Sequence, residues 1–268
     1  MRDTRWWLGT TVLAALGAAA VAVPWVSRAS AAPEGPRTPV IVELFTSEGC
    51  SSCPPADRLL RHLAEAQPVD GAEVIVLSEH VDYWNRLGWR DPFSSSVFTG
   101  RQTAYVSRLG AESLYTPQAV VDGAFEMIGN DQPAVLEAVR KAARRPKVAL
   151  DVAVVPAGAD GIRVSVSSGP IAGSRLDLLI AVTERDLTVK VTRGENARKT
   201  LAHTGVVRYV RASTGLDGRQ PLETPPLEIA LDRAWSRDAL RVVAFAQSAG
   251  QGPVLGIGTA AVPAPDAR

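Results

Sequence analysis

The stretch VELFTSEGCSSCPPAD, residues 42 to 57, constrains this chain more than any other. The β-branched run Pro39 to Phe45 reads as a buried strand, and Thr46-Ser47-Glu48-Gly49 reads as the tight loop that ends it. Cys50 and Cys53, the only two cysteines of the chain, come next. From Ser51 to Ala66 the apolar residues Ala56, Leu59, Leu60, Leu63 and Ala64 recur at helical spacing. Pro54 and Pro55 fit that helix only in its first turn, where no intrahelical N–H is lost. The cysteines therefore flank a helix start. Glu73 to Ser78, EVIVLS, is a second apolar run, and strand-helix-strand of this length implies a right-handed parallel crossover.

An aromatic-rich loop, HVDYWNRLGWRDPF, follows, and Ser94 to Leu109 reads as an amphipathic helix stopped by Gly110. Tyr115-Thr116-Pro117 leads into QAVVD, a strand that begins directly after a proline. Gly123 turns it back into Ala124 to Ile128, and Asp131 caps a helix that runs to about Arg145. The order is βαβαββα. Pro146 marks a change of composition: helical periodicity gives way to VALDVAVV, IRVSVSS, RLDLLIAV, LTVKVT, VVRYVRA, LEIAL, LRVVAFAQ and VLGIGTAAV. Short β runs separated by Gly, Pro, Asp and Ser suggest a sandwich. The expected fold class is α/β, with a βαβαββα domain over 38–146, an all-β sandwich-like domain over 147–262 and a disordered tail over 263–268.

With 46% hydrophobic and 21% charged residues in 268, the chain has the composition of a globular protein. Its 29 basic and 28 acidic side chains leave a net charge of +1, too little field to steer nucleic acid, so no nucleic-acid partner is expected. Arg2 and Arg5 precede an uncharged segment, Trp6 to Ser27, and Ala29-Ser30-Ala31 has the small-x-small pattern of a signal-peptidase site. Residues 1–31 thus read as a signal peptide cut after Ala31. An uncleaved anchor is the alternative, because about 20 apolar residues span a bilayer. Either reading makes the body periplasmic or secreted, with membrane contact only through that segment.

Two cysteines exclude a four-cysteine zinc site, and Pro54 after Cys53 excludes a C-x-x-C-H haem signature. Three readings of the pair remain. As a staple, a loop of four residues is worth roughly 2 kcal/mol, against about 5 for a loop of a hundred or more. As a redox couple, the pair has the helix start to lower the thiol pKa of Cys50, the nucleophile, while Cys53 resolves the mixed disulfide. As a copper site, the thiolates would be joined by His80, which follows the second strand. His62 reads as a solvated helix residue, and His203 lies in the other domain. Glu43 is a candidate proton acceptor for Cys53 if its strand face is covered; a solvent-facing Glu43, or Glu48 in that role, is the alternative. Tyr83, Trp84, Trp89 and Phe93 either line a peptide groove or pack as a lid.

The element order, the C-x-x-C before the first helix and Thr116-Pro117 before the third strand resemble a thioredoxin-like domain. VELFTSEGCSSCPPAD, HVDYWNRLGWRDPF, RQTAY and YTPQAVVDG are similar, more narrowly, to exported bacterial proteins of the domain-of-unknown-function 1223 family, over about residues 39 to 261. The resemblance implies a cis Pro117 lying against the disulfide, with Thr116, Trp84 and Trp89 as candidate substrate-binding residues. In the late motif GENARKTLAHTGVVR, Arg198 and Gly205 stand where the family pattern has a glycine and an asparagine.

The resulting expectation is thiol-disulfide exchange with thiols or disulfides of another envelope protein, needing no cofactor. The rival is a non-catalytic envelope module with a relic disulfide. A Cys50 sulfur open to solvent speaks for the first; complete burial under the Trp84 loop or the C-terminal domain speaks for the second.

Overall fold

Strands β1 (Thr38–Thr46) and β2 (Ala72–His80) run parallel, with Thr38 opposite Ala72 and Thr46 opposite His80. In this computed structural model, which describes residues 37–171 and 175–265, helix α1 (Pro54–Ala66) forms the crossover between them. Its two prolines occupy the first turn, as their missing N–H groups require. Helix α2 (Ser96–Leu109) begins where Ser95 Oγ accepts from Val97 N and ends at Gly110 in the left-handed conformation. Strands β3 (Gln118–Val121) and β4 (Phe125–Ile128) form a hairpin, and β3 lies antiparallel to β1. Helix α3 (Gln132–Ala143) follows, with Asp131 accepting from Ala134 N at its cap.

Apart from short 3-10 turns at Asn85–Leu87 and Arg237–Ala239, the remaining elements are strands: β5 (Val148–Ala149), β6 (Asp151–Pro156), β7 (Gly161–Pro170), β8 (Leu176–Glu184), β9 (Leu187–Lys190), β10 (Thr200–His203), β11 (Val206–Leu216), β12 (Pro221–Glu223), β13 (Leu227–Ala230), β14 (Leu240–Ser248) and β15 (Val254–Ala261). One nine-stranded sheet has the order β4-β3-β1-β2-β11-β8-β14-β15-β5, and β6, β12 and β13 pair with β7 in a second sheet. The composition change at 146–147 is therefore not a break in the sheet. The junction is narrow: β11 meets β2 only where Val206 faces Ser78, with Ser78 N donating to Gly205 O at 2.7 Å. Gly205 has φ +62°, and a Cβ there would sit 2.5 Å from Val76 O, so glycine lets the two strands approach this closely in this chain.

Period-two alternation explains the layering. Val40, Val42 and Leu44 of β1 pack with Leu59, Leu60 and Leu63 of α1 and with Val135 and Val139 of α3. Ile41, one step out of phase, packs instead with Leu179 and Ala181 of β8 and Val243 and Phe245 of β14. The alternate residues of those strands, Leu178, Ile180, Val182, Val242 and Ala244, meet Ile162, Val164 and Val166 of β7. The long sheet thus curls so that its second half covers the first, and the small sheet covers the second half. Among the described residues no helix is long and apolar enough to cross a membrane.

Candidate functional site

Cys50 and Cys53 form a disulfide with a Cα–Cα separation of 5.5 Å, Cys53 being the cap residue of α1. The turn is held by Cys50 N donating to Ser47 O at 3.1 Å and Cys53 N to Cys50 O at 3.3 Å. Ser52 Oγ contacts Cys50 Sγ at 3.3 Å and donates to Thr116 O at 3.4 Å. This bond brings the disulfide turn beside Thr116-Pro117, whose peptide bond is cis. Ser51 and Ser52 are exposed. Both cysteines are 0% exposed, so Cys50 is not the more accessible end of the pair.

The burial has an identifiable cause, a segment of the C-terminal half. Between β9 and β10, residues 191–199 fold back on themselves, with Arg198 N donating to Val191 O and Ala197 N to Gly194 O. That fold aims Asn196 at the disulfide turn: its Nδ2 donates to Glu48 O and Cys50 O, each at 2.8 Å, while Lys199 Nζ donates to its Oδ1 at 2.9 Å. Glu195 Oε2 accepts from Ser51 N at 3.0 Å. Arg198 has φ +69°, the left-handed conformation that suits the glycine of the family pattern. From the other side the 81–93 loop closes in, with the Trp84 side chain lying over Gly49.

A cluster of buried ionisable groups adjoins the turn. Glu48 accepts from Trp89 Nε1 at 2.7 Å and pairs with His203 Nε2 at 3.2 Å. Asp91 pairs with His80 Nδ1 at 2.7 Å and accepts from Glu48 N at 2.8 Å. The two imidazole rings lie 4.9 Å apart, and neither His80 Nε2 nor His203 Nδ1 has a hydrogen-bond partner. Asp57, in the first turn of α1, accepts from Thr46 Oγ1 at 3.0 Å. Burial raises the Asp57 carboxyl above its ordinary value against the opposing pull of His203 and His80. For His80, burial works downward, but the charge and hydrogen bond of Asp91, with Asp57 and Glu48, outweigh it and the net shift is upward. Asp91 shows the counterpart: burial pushes up, and His80 with the amides of Glu48 and Phe93 brings the carboxyl below its ordinary value.

Several expectations are relocated. His80 bonds Asp91 and not Asp82, whose carboxylate accepts from Thr99 Oγ1. No group of three metal-ligating side chains is assembled among the described residues. Glu43 is fully buried, which removes the solvent-facing alternative, but it lies on the Ile41 face of β1, away from α1. There it receives Arg101 Nε and, at 2.6 Å, Tyr105 OH. Arg101 also reaches Gln247 Oε1 at 3.0 Å and lies 3.6 Å from Glu79 Oε1. The RQTAY motif is thus a core network, with Gln102 bonding Gln118 and the Tyr115 carbonyl.

The aromatic loop packs as a lid. Trp84 Nε1 donates to Thr116 Oγ1 at 2.8 Å, Trp89 is tied to Glu48, and Phe93 meets the His80 and His203 rings edge-on. The departures at Arg198 and Gly205 put any role for Glu195, Asn196 or His203 in doubt, yet all three lie at the site, together with Asp91, which reasoning from sequence missed. The signal was present in GENARKTLAHTG, a polar cluster inside an otherwise β-rich region.

Fold and site together define a mixed α/β protein with three helices, a long curled sheet and a covered disulfide at a helix start. The chain belongs to the family described as protein of unknown function DUF1223, whose model matches residues 41–247. It is similar to a protein from Agrobacterium tumefaciens solved by X-ray crystallography, with 28% identity and a TM-score of 0.60 over 87% of this chain and 98% of that one. A partial likeness to β-glucuronidase 2 from Bacteroides uniformis has 9% identity and a TM-score of 0.27, over 43% of this chain and 14% of that one. Among curated proteins there is no match.

Proposed function

We propose that the protein is an exported, thioredoxin-like thiol-disulfide exchange protein whose C-terminal β-sandwich half covers the disulfide in the oxidised state. The observation that carries this reading is the placement of Cys50–Cys53 at the start of α1, one hydrogen bond from Thr116 at the head of β3. The strand order β4-β3-β1-β2, with β1 and β2 parallel, supports the thioredoxin-like assignment. The export reading rests on residues 1–31, which lie outside the described residues. Cys50 attacks a partner disulfide and Cys53 resolves the mixed species. Attack requires residues 191–199 to swing clear, a local opening of the kind that binding loops undergo.

Complete burial of both sulfurs favours a second reading, a non-catalytic module with a structural disulfide. Two features weigh against it. A four-residue loop contributes only about 2 kcal/mol, and a purely structural turn gains little from a costly cluster of buried acids and imidazoles beside it. The test is mixed-disulfide formation in native buffer. Full-length protein carrying Cys53→Ser, offered a disulfide-bonded peptide, should form a one-to-one adduct through Cys50, and Cys50→Ser should not. An adduct that appears only in denaturant would establish the structural reading.

A further inference from the structure

We propose that Glu195 and Asn196 hold the Cys50–Cys53 pair toward the disulfide side of its equilibrium, so that the protein donates electrons to partner disulfides instead of oxidising thiols. This rests on the exchange reading above and adds the direction that Ser51-Ser52 alone leaves open. A dithiol at a helix start becomes a strong oxidant when its thiolate is stabilised by nearby amides and cations, because the reduced form is then favoured. Here one such amide is already taken: Ser51 N, the next backbone donor after Cys50, is bonded to the Glu195 carboxylate at 3.0 Å. The same contact sets a negative charge on the amide that follows Cys50, which opposes formation of a thiolate at that residue. Hydrogen bonds from Ser51 hold the Glu195 carboxyl below its ordinary value, so it stays ionised at neutral pH.

The other charged groups around the turn reinforce this bias, are paired, or are held off by Asn196. Lys199 Nζ is bonded to Asn196 Oδ1, on the opposite side of the amide from the Nδ2 that donates to Cys50 O. Glu48 is paired with His203, and Asp91 with His80. Asp57 adds a further acid on the inner side of α1. Asn196 meanwhile ties the carbonyls of Glu48 and Cys50 together, fixing the turn in the shape that closes the disulfide.

The reaction balances as follows. The Cys50 thiol gives up its proton, its thiolate attacks one sulfur of the partner disulfide, and the displaced partner sulfur is protonated. The Cys53 thiolate then attacks Cys50 sulfur, the intermolecular bond breaks, and the second partner sulfur takes the second proton. Two electrons leave the pair, and an external dithiol donor restores them by the reverse sequence.

Glu195 is exposed, so Glu195→Gln is expected to fold as the parent does, checked by an unchanged melting temperature. Full-length protein and variant are equilibrated with glutathione buffers, and their dithiol and disulfide fractions are measured. The expected result is a three- to tenfold shift of the variant toward dithiol, about 15 to 30 mV for a two-electron couple. Alkylation rate against pH should place the Cys50 thiol of the variant lower as well. Equal constants, or a shift toward disulfide, would overturn the proposal. Run beside the mixed-disulfide assay, an active parent with an unshifted variant removes only this inference, whereas a parent that forms no adduct removes the exchange reading and this one with it.

Discussion

Replacing Asn196 by alanine isolates the contact that keeps the disulfide covered. Asn196 is fully buried, and its amide satisfies the carbonyls of Glu48 and Cys50 at 2.8 Å each. A neutral hydrogen bond nets about 1 kcal/mol, and a buried carbonyl left without a partner costs about 1 to 3. With Glu48 O orphaned and Cys50 O left only the 3.3 Å bond from Cys53 N, the covered state should lose about 2 to 3 kcal/mol. Lys199 is exposed and recovers water as a partner, so its lost bond adds little. If that loss falls on local opening of residues 191–199, the open population rises roughly 30- to 150-fold at 1.4 kcal/mol per decade. The assay is the rate at which dithiothreitol reduces the disulfide in native buffer, with hydrogen exchange at Ser51 and Cys50 as the second readout. Both should accelerate by that factor. Asn196→Asp, which keeps the shape and removes the donor, should behave alike. A change of less than about threefold in the reduction rate would refute the claim that this segment controls access.

Two further predictions concern the network on the other face of β1. Arg101→Ala leaves Glu43 and Glu79 buried without their cation, and breaking a buried pair in this way costs about 3 to 5 kcal/mol. The melting temperature should fall by roughly 6 to 20 °C at 2 to 4 °C per kcal/mol, and a fall below about 2 °C would contradict the network's role. Glu79→Gln tests linkage. Burial first, then the charge of Glu43, raises the Glu79 carboxyl well above its ordinary 4.5, with Arg101 opposing. The folded state therefore keeps a proton that the unfolded chain has released, and stability falls as pH rises above about 4.5. Glutamine cannot titrate, so in urea melts the variant should gain on the parent steadily from pH 5 upward; a constant difference across that range would contradict the assignment.

What the sequence determined by itself is what local chemistry encodes. Pro54-Pro55 can only open a helix, Asp131 caps one, and the eight β runs after Pro146 all reappear as strands. Strands β10 and β12, with four and three residues, lack the Val and Ile that marked the four-residue β9 and β13. The alternation of Val40, Ile41 and Val42 said that both faces of β1 are covered, but not by what. That was decided by the curl of the long sheet, which places β8 and β14 against Ile41 and turns Glu43 toward Arg101, away from the disulfide. The site was decided the same way. Asn196 reaches Cys50 across 146 residues and His203 reaches Glu48 across 155. A hydrogen bond from a side chain to a backbone carbonyl leaves no complementary residue in the sequence to betray it. That the cysteines flank a helix start was legible because their spacing and the two prolines after them define it, whereas their burial was not, because it belongs to a loop that only the tertiary fold brings over them.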